Sequence, residues 1–233
     1  MNRYPLESPP IDLALSPFSA EVIVAQNGST ELFHLAPATG EQARAEIGTR
    51  LTKNSRIAVN PFSRQIWVTV PDSNMVIMLD PSSPEQLLRF DGLNRPSSVA
   101  APTEEGVASV GTSSGLLLIN EQGLLQRFFE SSIIVDLDVH RETGDVWVIT
   151  YDEKESEWLI QVVERIYDSW TTRIFQTNSY REISQIAVNP GTEHPGIMLY
   201  DGEYHSIVRL DSQENEIGWY YGFTSRLDIA VEQ

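Results

Sequence analysis

RIAVNPFSRQIWVTVPDSNMVIMLDP, residues 56–81, lies over IDLALSPFSAEVIVAQNGSTELFHLAP, residues 11–37, sharing Pro-Phe-Ser and the two apolar runs that follow. The first apolar run recurs along the chain, beginning at Ile11, Ile57, Val99, Leu137, Ile186 and Ile229, with a period of about 43 residues. Self-similarity at such a period marks an array of supersecondary units, none of which can bury its apolar face alone. Four short runs repeat within a unit. They read IAVN, QIWVTV, MVIML and EQLLRF in the second unit, and LDVH, DVWVIT, WLIQVV and WTTRIF in the fourth. Gly, Pro, Asn, Asp and Ser separate them, which is the punctuation of strands and turns.

Runs this short do not make helices, and middle runs that are apolar on both sides require burial between two layers. Radially stacked blades supply those layers. The expected fold is therefore all-β, a single β-propeller of about five four-stranded blades over residues 11–233, behind an N-terminal extension at 1–10. Trp67 and Trp147 hold equivalent places in their units and are expected to pack blade against blade. The five units already provide five inner strands, so IAVEQ at 229–233 is a sixth. Either that strand closes the first blade, or the ring is six-bladed or incomplete, and an incomplete ring exposes an edge that pairs with other chains.

The pattern IAVNPFSRQIWVTVPDSNMVIMLD resembles the repeat of NHL, YVTN-type and virginiamycin-lyase or gluconolactonase-like propellers, in which an inner strand of this kind leads into an Ile-Trp-Val-Thr second strand. The resemblance covers nearly the whole chain. It implies the fold and little chemistry, because its motifs are structural and one fold hosts many functions.

Composition narrows the partners. Sixteen Lys and Arg stand against 33 Asp and Glu, a formal charge of −17 on 233 residues. Such a field repels nucleic-acid backbones and anionic membranes, so neither is an expected partner. There is no cysteine, hence no disulfide, thiolate nucleophile or cysteine-bound zinc. Pro5, Pro9 and Pro10 interrupt the start as a signal helix, and no window is apolar enough to span a bilayer. A soluble cytoplasmic protein is expected, or a periplasmic or secreted one if a leader has been removed. No Gly-rich phosphate loop, Gly-x-Ser-x-Gly elbow or His-Glu-x-x-His is present, and no cofactor is expected.

Two sets of residues are candidates for a site. Arg50, Arg56, Arg95, Arg181 and Arg226 fall in the connections expected between blades, roughly residues 49–56, 93–98, 130–136, 177–185 and 223–228, on the propeller face formed by those loops. Arginine there suits bidentate recognition of a carboxylate or phosphate, but solvated loop charge, or ion pairs between blades with Glu130, Asp136, Glu182 and Asp228, is the ordinary reading. Asp12 and Asp138 stand at the second position of inner strands where Ala58, Ala100, Ala187 and Ala230 stand in the other units. Carboxylates close together at a narrow axis would have raised pKa values, although hydrated or hydrogen-bonded channel residues are the ordinary reading of such a pair. That placement resembles the inner-strand acids of arabinanase-type glycosidases, but no third carboxylate recurs at the register. The run VDLDVH puts Asp136, Asp138 and His140 on one side of a strand, its outer two about 13 Å apart at 3.3 Å per residue, too far to ligate one ion. The acidic loop YDEKESEW at 151–158 lacks the glycine of a calcium loop and reads as a hairpin tip.

These signals favour a non-enzymatic propeller acting as a protein-interaction or scaffold module, with a protein partner and an unpaired strand that could also bring two copies together. The alternatives left standing are a lyase, lactonase or glycosidase, and a sensor of small ligands or glycans.

Overall fold

The structure is a computed structural model that describes residues 5–16, 19–81, 87–101, 106–166, 169–175, 182–189, 195–200, 204–211 and 215–223. Among the described residues the strands form five four-stranded sheets, each ordered as in the chain, and these are blades of a β-propeller. Blade one holds β1 (Pro10–Leu15), β2 (Val22–Gln26), β3 (Glu31–Leu35) and β4 (Gln42–Glu46). Blade two holds β5 (Ile57–Val59), β6 (Ile66–Val70), β7 (Met75–Leu79) and β8 (Leu87–Phe90). Blade three holds β9 (Ser98–Ala100), β10 (Ala108–Thr112), β11 (Gly115–Asn120) and β12 (Gly123–Phe128). Blade four holds β13 (Ile133–Val139), β14 (Val146–Asp152), β15 (Glu157–Ile166) and β16 (Ser169–Phe175), and blade five β17 (Glu182–Val188), β18 (Pro195–Tyr200), β19 (His205–Leu210) and β20 (Glu216–Phe223). The strands read from the second and fourth units are all present. Residues 229–233, expected as a sixth inner strand, lie outside the described residues.

Chain contacts divide the molecule into two compact units, residues 1–110 with 118–126, and 111–117 with 127–233. In the first, Ile23, Ala25 and Leu32 of blade one interlock with Ile57, Ile66, Val68, Val70 and Ile77 of blade two. In the second, Trp147, Ile149, Ile160 and Val162 of blade four meet Ile183, Ile186, Val188, Ile197 and Val208 of blade five. Central strands apolar on both faces are thereby buried on both faces: β6, IWVTV, has no exposed residue. Trp67 and Trp147 are both buried; Trp147 packs with blade five as expected, whereas Trp67 stacks on Phe90 of its own blade with centroids 5.7 Å apart.

The inner strand turns into the second strand by one repeated device. The residue ending the inner run, Ser16, Asn60 or His140, donates its backbone N–H to the carbonyl five residues on, at Glu21, Gln65 or Asp145. In two of these loops the residue just before that carbonyl returns the bond: Arg64 N–H to Asn60 O and Gly144 N–H to His140 O, both at left-handed φ, +65° and +77°. Glycine accepts that conformation without cost, whereas arginine holds it against about 1 kcal/mol of steric strain. The buried side chain at the first position braces the loop: Asn60 Oδ1 accepts from Phe62 and Ser63 N–H, and His140 Nδ1 accepts from Thr143 N–H.

Two boundaries differ from the sequence expectation. Residues 130–136 and 177–185 read as connections, yet β13 starts at Ile133 and β17 at Glu182, so both inner strands run for seven residues against three in β5 and β9. Asp136, Ser184 and Gln185 hid them, because polar side chains interrupt the apolar pattern by which a buried strand is recognised.

Candidate functional site

The inner-strand carboxylates face the backbone of the next blade. Asp12 in β1 accepts the N–H of its neighbour Leu13 on Oδ1, at 2.9 Å, and the N–H of Ile57 in β5 on Oδ2, at 2.8 Å. Asp138 in β13 repeats this: Oδ1 accepts from Val139 at 2.8 Å and Oδ2 from Val188 in β17 at 2.7 Å. Two residues earlier, Asp136 Oδ2 accepts from Ile186 of β17 at 3.0 Å. β1 and β5 belong to separate sheets, as do β13 and β17, so N–H groups turned toward the next blade have no ladder partner there and need another acceptor. A carboxylate one bond out from the strand reaches across. Burial pushes the Asp138 carboxyl up to about 6, against the lowering effect of the Val188 and Val139 N–H bonds and of His140. The cause is desolvation rather than a second carboxylate, the cause anticipated from the sequence.

The arginines divide. Arg56 turns back on its own loop, with Nη1 2.8 Å from Ser55 O and 3.3 Å from Lys53 O, while its backbone N–H donates to Thr69 Oγ1. Arg50 and Arg95 are exposed, Arg95 at left-handed φ (+47°) with its N–H on Asn74 Oδ1. Arg181 and Arg226 lie outside the described residues. His140 is buried as a turn brace, and among the described residues no group of three His, Asp or Glu is placed to hold a metal. The 151–158 loop is a hairpin tip, with Asp152 Oδ1 accepting from Lys154 and Glu155 N–H.

Two features escaped the sequence reading. The first is a cavity of about 220 Å³ on blade one, walled by Gln26, Gly28, Glu31, Phe33, Arg44 and the N-terminal Glu7 and Ser8. Arg44 bridges Glu7 at 2.6 Å and Glu31 at 3.1 Å, and its guanidinium holds the Glu7 carboxyl below the usual range. Ser8 N–H donates to Gln26 Oε1, and Leu6 packs on Val24, Phe33 and Leu35, so the N-terminal segment lies against the blade. The second is the outermost strand of blade five, EIGWYYGF. Ile217, Tyr220 and Tyr221 on it are 47, 54 and 70% exposed. The signal was in the sequence: the fourth strands of the other units each carry an arginine, and this one carries none.

No helix among the described residues is long and apolar enough to cross a membrane. No family model and no curated protein matches the chain. Among solved structures it is similar to hydrazine synthase of Kuenenia stuttgartiensis, at 10% identity and TM-score 0.70, over 92% of this chain and 66% of that one. It is similar to the β-propeller domain of Myceliophteria thermophila Cps50 (Swd1), at 13% identity and TM-score 0.71, over 95% and 76%. RRP9 WD40 repeats match at 13% identity and TM-score 0.71, over 93% of this chain and 64% of that one. The chain thus spans about two thirds to three quarters of these structures. At such identities the likeness shows the β-propeller fold and nothing finer.

Proposed function

We propose that the chain is a non-enzymatic propeller module that binds another protein. The observation that carries this reading is the clustering of exposed Ile217, Tyr220 and Tyr221 on one outer strand. Single apolar residues on a surface are ordinary, whereas exposed aromatic side chains gathered on both faces of one strand have the composition of an interface. The inner-strand acids support it. A general base needs an oxygen turned toward its substrate, and the described oxygens of Asp12 and Asp138 already accept backbone N–H groups.

Affinity capture on the immobilised chain, followed by cross-link mapping, tests the proposal. A captured protein cross-linked to outer blade strands is the expected result. A partner cross-linked only around Arg50, Arg56 and Arg95 moves the site to the blade junctions, a second reading that the exposure of Arg50 and Arg95 favours. Turnover of a glycoside or lactone that Asp138→Asn abolishes overturns the non-enzymatic reading.

A further inference from the structure

We infer that the outer edge of blade five, strand β20, takes up an extended basic peptide segment by strand addition, an inference that rests on the protein-binding reading above. The other four blades set the pattern from which blade five departs. Their outermost strands carry Arg44, Arg89, Arg127 and Arg173. Arg44, Arg89 and Arg173 stand opposite Phe33, Ile77 and Val162, near the middle of the neighbouring strand. Arg44 bonds Glu31 across the pair and Arg173 bonds Glu164. A charged side chain in mid-edge discourages a foreign strand from docking there.

Blade five breaks the pattern. Opposite Val208 in β19 the outer strand places Trp219, whose Nε1–H donates to Glu216 at 2.9 Å. Trp219 stacks on Tyr221 with centroids 5.2 Å apart and planes 7° from parallel. Between Ile217 and Trp219 stands Gly218, where an added Cβ would meet nothing within 4 Å, so a neighbouring chain can approach the backbone closely. At eight residues β20 is the longest of the five outer strands and the last of its sheet among the described strands. Its register against β19 is unbroken from Gly218 to Tyr220, with irregularities on either side, so the outer N–H and C=O groups of that stretch offer a short ladder to an extended segment.

Charge selects the occupant. Residues 182–223 contain seven Asp and Glu against the single Arg209. An approaching basic strand is drawn to that field, and its guanidinium groups stack on tyrosine faces. A second copy of this chain would bring an equally acidic blade and be repelled. The partner strand supplies to blade five the arginine that the other blades carry themselves.

Fluorescence anisotropy with labelled nonapeptides tests this on the full chain. A peptide alternating arginine and valine should bind, more weakly as salt rises. Its counterpart with three valines replaced by proline, and one with glutamate for arginine, should not. The double substitution Tyr220→Lys and Tyr221→Lys should weaken binding at least tenfold at an unchanged unfolding midpoint, and Ile217→Lys serves if that variant does not fold. Equal binding of the proline peptide reduces the contact to charge alone and overturns the proposal, as does full binding by the lysine variants. A dimer of the wild type dissolved by the same substitutions makes a second copy the occupant and also overturns it. A protein captured equally by wild type and lysine variant removes β20 from the interface while leaving the module reading standing; capture of no protein at all removes the module reading.

Discussion

Asp138 is an acid whose proton is held more tightly in the fold than out of it. Its carboxyl titrates at about 6 against an ordinary 3.8, because burial outweighs the two N–H groups that favour its charge. Between those values the native chain binds more protons than the unfolded one, so this residue's contribution to stability is complete below pH 4 and is lost as pH rises through 6. That gap corresponds to roughly 3 kcal/mol at most. Asp138→Asn removes the titration and keeps one acceptor for two donors. Urea denaturation should therefore show the wild type's advantage over the variant shrinking by about 2–3 kcal/mol from pH 4 to pH 7; an advantage constant with pH would contradict the assignment. The position was legible as an aspartate where alanine stands in sister units, and as a hydrogen-bonded rather than a catalytic one, but its partner was not. Its acceptor pairs with Val188, 50 residues away, and no local pattern announces a bond of that span.

At the level of elements, Asp12 joins β1 to β5 by accepting the Ile57 N–H across the blade junction. Asp12→Ala leaves that N–H, on a buried residue, without its acceptor, a loss of about 1–3 kcal/mol. Native-state hydrogen exchange should quicken at the Ile57 amide and leave that of Val68, inside the β5–β6 ladder, close to the change in global stability. Equal protection at Ile57 in both proteins would mean that the carboxylate does not hold the blade. Strand existence was readable from alternation and turn residues in the second and fourth units, since Val, Ile and Trp dominate them. The outer strand β20 was harder. Its missing arginine is an absence, visible only once five fourth strands are set side by side in register.

For the whole molecule, repetition made the architecture legible and charge sets its solution behaviour. A chain of net charge −17 repels itself, and counter-ions relieve that repulsion over a Debye length of about 10 Å at 0.1 M salt. Raising sodium chloride from about 20 mM to about 0.5 M should raise the thermal midpoint; a fall would mean that ion pairs such as Arg44 with Glu7 and Arg173 with Glu164 outweigh the repulsion. The carboxylate clasps reach 45 residues from Asp12 to Ile57 and 50 from both Asp136 to Ile186 and Asp138 to Val188. On a ribosome each clasped blade therefore waits for its successor: the acceptor is made first and its donor emerges about a blade later, seconds behind at ordinary rates of synthesis. Maturation runs in the order of translation, with such a nascent blade provisional until the following one arrives to claim it.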